Sequence, residues 1–374
     1  MIAIYEKGAN LMKILCTLSL VLFFLSGDIY CYESDNWDFL VANQNQRNLE
    51  LTHKFQKNQL KYKLKVTTIN VGMLNTVMGY VSVPYYSARA KALYQKLLIH
   101  KNRKTPDMIF IQELWGKPNF LTVQKFATDY GYELAEKNSD LTWANGLQIL
   151  IKKKKSFSRP ICQFSTYQNL TGGERTILLP HEWVSSTQRG LLWCRLWVNG
   201  RELTLANTHL TAPTSFRATL LRQNQLDGMI SFLDFRRNNE LVFVGGDLNF
   251  SGHFKNAKNK MINTLLFNAR LYDYFIKKTG LVDSLGAFEY PNQSYTLNRL
   301  DNLLARTGKY TRDDPEQRVD YLWVGEKVGR KFVQKSFTIT DSSLTFTKHD
   351  IPVPNGRKAP LSDHFGVTTT IELH

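Results

Sequence analysis

Apolar positions along this chain come in short, β-branched runs that stay apolar almost continuously and then stop at a polar residue unusual for a strand end. The runs are LKVTTINVG (64–72), DMIFIQELWG (107–116), NGLQILIKK (145–153), LLWCRLWVNG (191–200), RELTLANTHLTA (201–212), ELVFVGGDLNF (240–250), RVDYLWVG (318–325) and SDHFGVTTTIEL (362–373). Helix-like stretches lie between them, at 87–100, 121–130 and 216–237. In the last of these Leu220, Leu221, Met229, Ile230 and Leu233 recur at near-helical spacing. Strands too apolar to face water on one side, with helices between them, predict sheets covered by helices, an α/β sandwich. Asn199-Gly200 between two strand-like runs predicts a hairpin turn.

The N-terminal region departs from this pattern. Met12-Lys13 is followed by ILCTLSLVLFFLSG (14–27), with no charge before Asp28. An apolar run of this length matches the core of a secretory signal and falls short of the roughly 20 residues that span a bilayer. An uncleaved anchor is the rival reading, and residues 1–11 read as an upstream-start extension of a signal that begins well at Met12. Residues 32–62 are polar, include NQNQRN (43–48), and read as an N-terminal extension. With no later linker, the expected organisation is a signal over 1–31, the extension over 32–62, and one folded domain over 63–374.

With 43% hydrophobic and 12% aromatic residues in 374, the chain can bury a full core, which excludes disorder, and it shows no heptad or other fixed repeat. Lys and Arg outnumber Asp and Glu by 48 to 32, a net charge of +16. Residues 1–31 hold Lys7 and Lys13 against Glu6 and Asp28, so this basicity belongs to the folded domain. It favours anionic partners, whether nucleic acid, acidic lipid or phosphoesters, and does not choose among them. The densest run, Lys152, Lys153, Lys154 and Lys155, follows a strand and reads as its solvated end. Cys16 lies in the signal and Cys31 near its end. For Cys162 and Cys194 a bridge in an oxidising compartment and two buried thiols both stay open. No CxxC pairing exists, which excludes zinc held by thiolates.

The chemistry lies where the apolar runs end: Asn70, Gln112-Glu113, Asn207-Thr208-His209, Asp247 with Asn249, Asp320, and Asp363-His364. Any one of these alone is a capped strand or a solvated loop. Successive strands of one sandwich, however, bring their ends to a common rim where oxygen and nitrogen ligands converge. Such a set suits hydrolysis of a phosphoester with a hard divalent cation. Magnesium takes one or two carboxylates with amide oxygen and water, which fits Glu113 with Asn70. The remaining carboxylates and two imidazoles then orient water and meet developing charge. Asp363-His364 has the make-up of a carboxylate coupled to a general base, though strand neighbours point to opposite faces, so that coupling needs a bend there.

The ordered blocks Ile69-Asn70, QELWG (112–116), Asn145-Gly146-Leu147, NTHL (207–210), GDLN (246–249), RVDY (318–321) and LSDHFGV (361–367) resemble the endonuclease/exonuclease/phosphatase superfamily over about 64–373. Within it the chain looks most like the neutral sphingomyelinases. The Trp after the metal Glu, Asn145-Gly146-Leu147 feeding a strand, SYTLNRLDN (294–302) ahead of RVDY, and Gly280-Leu281 to Asp283 carry that narrower likeness. The resemblance implies a DNase I-like four-layered α/β sandwich, two mostly antiparallel sheets packed face to face and flanked by helices. It implies that Glu113 and Asn70 hold Mg²⁺ or another divalent cation such as Mn²⁺, that Asp247 and Asn249 orient water and phosphate, and that His209 stabilises phosphorane-like charge. His364 would be the general base, supported by Asp363 or by Asp320. The implied substrate is a phospholipid at a membrane surface, sphingomyelin, giving ceramide and phosphocholine, with no obligate protein partner.

Two departures bear on this. FSGHFKN (250–256) follows Asn249 without the Pro common after GDLN in that family, and 160–189 matches only through Gln188-Arg189-Gly190. Trp183, Phe254 and Tyr85-Tyr86 are candidate membrane-facing aromatics or ordinary packing, and His253 and His349 read as surface histidines. A secreted metal-dependent nuclease, an inositol phosphate phosphatase and a catalytically dead membrane or protein binder are the rival functions.

Overall fold

Alternation within each apolar run sends side chains to both faces of a strand, and both faces are covered. In a computed structural model of the chain the described residues are 62–73, 83–97, 105–137, 145–167, 189–212, 216–255, 259–288, 294–307 and 315–374. The chain divides into units 1–54 and 55–374, and the expected signal, nearly all of the N-terminal extension, and Trp183 lie outside the described residues.

The first elements are β1 (Tyr62–Asn70), α1 (Tyr86–Leu97), β2 (Met108–Gln112), α2 (Lys117–Asp129), β3 (Tyr132–Leu134), β4 (Gln148–Lys152) and β5 (Ile161–Thr166). There follow β6 (Gly190–Val198), β7 (Arg201–His209), α3 (Phe216–Asp234), β8 (Leu241–Asp247), β9 (Phe254–Lys255), α4 (Asn259–Thr279) and β10 (Val282–Asp283). The last are α5 (Leu303–Thr307), β11 (Glu316–Gln317), β12 (Asp320–Val328), β13 (Lys331–Val333), β14 (Phe337–Thr345), β15 (Ile351–Val353), β16 (Arg357–Ala359) and β17 (Gly366–Leu373).

One sheet has six strands in the order β14-β17-β1-β2-β4-β3, and a second runs β10-β12-β8-β7-β6-β5 with β13 beside β12. Only β1 with β2 and β7 with β8 pair in parallel within these sheets. The sheets meet face to face: Leu64, Val66, Phe110 and Ile149 of one share a core with Leu205, Phe243 and Leu322 of the other. Ile109 and Ile111, one residue out of phase with Phe110, instead pack under α1 and α2 with Leu93, Val123 and Phe126. On the far side Val242, Val244 and Trp323 carry α3 and α4 through Met229, Leu233 and Phe275. The result is the expected four layers, and each fully buried aliphatic or phenyl side chain contributes about 1.5–3 kcal/mol. Gly245 faces this inter-sheet core because Phe110 fills the space: a Cβ there would lie 2.1 Å from the phenyl ring.

All eight apolar runs become strands, within a few residues of the expected limits, and the three expected helices are α1, α2 and α3. Val198 and Arg201 pair across Asn199-Gly200, whose φ values of 50° and 78° are those of a two-residue hairpin turn. Cys162 and Cys194 face each other across β5 and β6 and are bridged, which decides between the two readings left open. Lys152 closes β4 over the Tyr132 ring, and Lys154 pairs with Asp107, so the lysine run is a strand end. His253 corrects its reading as a surface residue: it is half-buried, edge-on to Tyr272 at 5.6 Å, whereas His349 is exposed. Tyr85 and Tyr86 are half-buried and pack against the core.

Candidate active site

Strand direction assembles the site. His209 and Asp247 are register partners at the ends of parallel β7 and β8, and Asp320, at the start of antiparallel β12, pairs with Asp247. In the other sheet Asn70 and Gln112 are partners at the ends of β1 and β2, Glu113 follows, and β17 begins beside the end of β1 just after His364. Each sheet therefore delivers its polar strand ends to one edge of the sandwich.

The two halves are tied across the seam. Asn70 Nδ2 donates to Glu113 Oε1 at 3.0 Å and to Asp247 Oδ2 at 2.9 Å. Beneath it Gln112 Nε2 donates to Asn207 Oδ1 at 2.7 Å, and Asn207 Nδ2 donates to the carbonyls of Ile111 and Gln148. His364 Nδ1 lies 2.8 Å from Asp320 Oδ2 and 3.9 Å from Asp247 Oδ2. His209 Nε2 is 3.5 Å from Asp247 Oδ2 and 3.9 Å from Glu113 Oε1. Asn249, in a left-handed backbone with φ of 51°, donates its N–H to Asp247 Oδ1 and its amide to the Leu210 carbonyl.

Of the two carboxylates expected to support His364, the structure selects Asp320. Asp363 accepts instead from its neighbour Ser362 and lies against Gly72, where a Cβ would come within 3.0 Å of its Oδ1. The bend needed for an Asp363–His364 couple is present, but it turns the carboxylate toward the end of β1. Asn70 also differs from its expected role. Its Oδ1 accepts from the Gly72 N–H, so the amide presents hydrogen to both carboxylates rather than oxygen to a cation. Holding a cation through Oδ1 requires that amide to turn over.

Burial and mutual repulsion dominate the electrostatics. Burial, then the charge of Asp320, push the Asp247 carboxyl up to about 7. Burial and Asp363 raise Glu113, against the hydrogen bond from Asn70. His209 is lowered well below its ordinary value by burial and by the Arg189 and His364 cations, so it is neutral. For His364 burial opposes charge, but Asp320, Asp247 and Asp363 outweigh it and raise the imidazole well above its ordinary value.

This donor set fits a hard divalent cation. Glu113, His209 and Asp247 form one cluster of ligand atoms within 4.8 Å of one another, and Asp247, Asp320 and His364 form another. Among the described residues no lysine or arginine forms an ion pair with Glu113 or Asp247. Asp320 Oδ1 and His209 Nδ1 are buried without a hydrogen-bond partner. Converging carboxylate oxygens with one imidazole suit Mg²⁺ or Mn²⁺. A cation beside Asp247 would also remove a charge that now holds His364 protonated.

Several residues outside the expected set build this edge. Arg189, next to the site, donates Nη1 to the His209 carbonyl at 3.0 Å and leaves Nε buried without a partner. Arg89 is fully buried and donates to the carbonyls of Val71, Gly72, Val83, Pro84 and Leu361, clamping the chain after β1 to the loop that leads to Asp363 and His364. Thr296 Oγ1 accepts the N–H of Val319 and of Asp320, while its carbonyl accepts the Phe365 N–H. Asn302 Nδ2 donates to the Ser362 carbonyl. The SYTLNRLDN segment thus holds both members of the Asp320–His364 pair. In the QELWG block, Trp115 packs on Gly146, where a Cβ would lie 2.8 Å from the indole, which joins that block to Asn145-Gly146-Leu147.

The layered architecture is that of the DNase I-like fold. No protein-family model and no curated protein matches the sequence. Among solved structures the chain is similar to TDP2 from C. elegans, with 17% identity, TM-score 0.55, and 85% and 77% of the two chains covered. It is similar to D. rerio TDP2 complexed with a single-strand DNA product, with 19% identity, TM-score 0.53, and coverage of 83% and 98%. SmcL gives 16% identity, TM-score 0.51, and coverage of 83% and 99%. At these identities the likeness establishes the fold.

Proposed function

We propose that this protein is a secreted, Mg²⁺-dependent phosphodiesterase that hydrolyses sphingomyelin to ceramide and phosphocholine. The observation that carries the phosphodiesterase reading is the meeting of Asn70, Glu113, His209, Asp247, Asp320 and His364 at one edge of the sandwich, with the Asp320–His364 pair at 2.8 Å. The QELWG and SYTLNRLDN blocks support the lipid substrate, and the apolar run at 14–27 supports secretion.

Glu113, with Asn70 turned and Asp247 in reach, would hold the cation, which supplies Lewis-acid polarisation of a phosphoryl oxygen. With Nδ1 held on Asp320, Nε2 of His364 is the nitrogen left to take the proton from an attacking water. Asp247, itself fixed by the Asn249 N–H, orients that water. His209, neutral and next to Asp247, donates an N–H to negative charge developing on the phosphoryl group. Arg189 adds a fixed positive charge behind His209.

A nuclease is the second reading, favoured by the DNA complex among the similar structures and by the net charge of +16. Purified protein is assayed on sphingomyelin liposomes and on plasmid DNA, each with Mg²⁺ or EDTA. Metal-dependent phosphocholine release with intact DNA is expected; DNA nicking with untouched lipid would move the assignment to the nuclease.

A further inference from the structure

An open groove of about 760 Å³ lies beside α5 and the β15–β16 hairpin, and none of the residues placed in the reaction centre lines it. Leu300, Asp301 and Arg306 line it from around α5, and His349, Arg357 and Lys358 from around β15 and β16. Its connection to the reaction centre is short. Asn302, between Asp301 and α5, donates to the carbonyl of Ser362, the residue before Asp363, and β16 runs from Arg357 through Ala359 toward Leu361.

Charge in the groove is unbalanced. Among the described residues its one carboxylate, Asp301, already accepts from Asn298 Nδ2 at 2.8 Å. Arg306, Arg357 and Lys358 are exposed and form no ion pair among the described residues. Some cations elsewhere in the fold find partners, Lys96 with Asp350, Lys154 with Asp107 and Arg201 with Glu326, while Lys153, Lys155 and Lys335 are exposed without one among the described residues; the groove differs in gathering three such cations in one place. His349 is lowered by its partial burial and then by Arg306, a sign of how closely positive charge is crowded here. Beside these cations Leu300 is 62% exposed, and among the described residues the His349 imidazole is the one aromatic ring that lines the groove.

We propose that this groove is a docking surface for the headgroup phosphates of an anionic phospholipid bilayer, seating the reaction centre against the membrane. It rests on the lipid reading of the site. Cations flanking an exposed leucine match the boundary between headgroups and acyl chains, where the leucine enters and the cations stay with phosphate. A groove for single-stranded nucleic acid would offer several aromatic faces for stacking, where the described residues of this one offer the His349 imidazole alone.

The test is cosedimentation of the full chain in EDTA, where binding is read without turnover and so independently of which lipid is hydrolysed. Vesicles of phosphatidylcholine alone and of phosphatidylcholine with phosphatidylglycerol are compared. At about fivefold per cation, the R306Q/R357Q/K358Q variant is expected to lose on the order of 100-fold in partitioning onto the anionic vesicles. A charge-matched control, K153Q/K155Q/K335Q, changes exposed lysines away from the groove and is expected to lose less than about tenfold. If the triple variant melts early, R357Q/K358Q replaces it, with an expected loss of about 25-fold. An unchanged groove variant, or equal losses in both triple variants, overturns the proposal. A groove variant that loses binding to a short DNA oligonucleotide but keeps its vesicle binding reassigns the surface to nucleic acid and also overturns it.

Discussion

Asp247→Asn should stabilise the cation-free protein while abolishing its turnover. Asp247 is 2% exposed, and burial together with Asp320 raises its carboxyl from 3.8 to about 7. A carboxyl raised on folding prefers its proton in the native state. Its penalty is absent below the unfolded value, grows as pH rises between the two values, and is complete above about 7. At about 1.36 kcal/mol per tenfold in proton affinity, the rise from 3.8 to about 7 sets a ceiling of roughly 4 kcal/mol. Asparagine keeps the volume but offers one acceptor oxygen where the carboxylate has two, so it accepts from the Asn249 N–H or from Asn70 Nδ2 and not from both. That lost bond, and the loss of one of the carboxylates that hold the His364 imidazolium charged, leave about half the ceiling, roughly 2 kcal/mol, to be realised. For a domain of this size that is a rise in Tm of about 4 °C near pH 8. Thermal melts in EDTA at about pH 8 and about pH 4 are the assay, because the gain should shrink where wild-type Asp247 carries its proton. A lower Tm for the variant at the higher pH, or the same gain at both, would refute the reasoning.

His364→Ala should lower turnover by about 10³-fold and, by leaving Asp320 buried without its partner, lower the Tm as well, and Asp320→Asn should follow it in turnover to within about tenfold; steady-state kinetics on one soluble phosphodiester and thermal melts check both. Mg²⁺ should raise the Tm of the wild type but not of Glu113→Gln, which melting with and without EDTA resolves. Thr296→Val leaves two N–H groups beside Asp320 without their acceptor and should cost about 2–4 kcal/mol in urea unfolding, with turnover down about 10- to 100-fold. Cys162→Ser with Cys194→Ser opens a bridge across a separation of 32 residues and should lose about 3 kcal/mol in the same unfolding assay, with turnover at room temperature unchanged.

What the sequence revealed and what it hid follow from how burial is shared. Runs such as MIFIQ, covered on both faces, are apolar throughout and read plainly as strands. Strand β14, FTITDSSLT at the edge of its sheet, is half polar because only one face meets the core, and it escaped notice. Helix α4 was hidden for a similar reason: Leu265, Leu271 and Phe275 share its buried face with Asn268, which accepts from the buried Arg222. The site was legible because polar residues at the ends of apolar strands are conspicuous. Its supports were not. Arg89 and Arg189 look like surface arginines in sequence, and only a three-dimensional view reveals the carbonyls that one clamps and the histidine that the other backs. Thr296 lies in a block the resemblance had picked out, yet its use is visible only in the hydrogen bonds to Asp320 and Phe365.

The seam between the sheets has a consequence for how activity reports on the state of the molecule. Asn70, Glu113 and His364 belong to one sheet; His209, Asp247 and Asp320 belong to the other. Neither set is competent alone, and their alignment depends on Phe110 seating over Gly245 and on the Gln112–Asn207 bridge. A partly folded chain with both sheets formed but not docked would keep its secondary structure and lack a reaction centre. Under the proposed activity, turnover is therefore a coincidence signal for correct tertiary packing, and a chain that has not finished folding would give none.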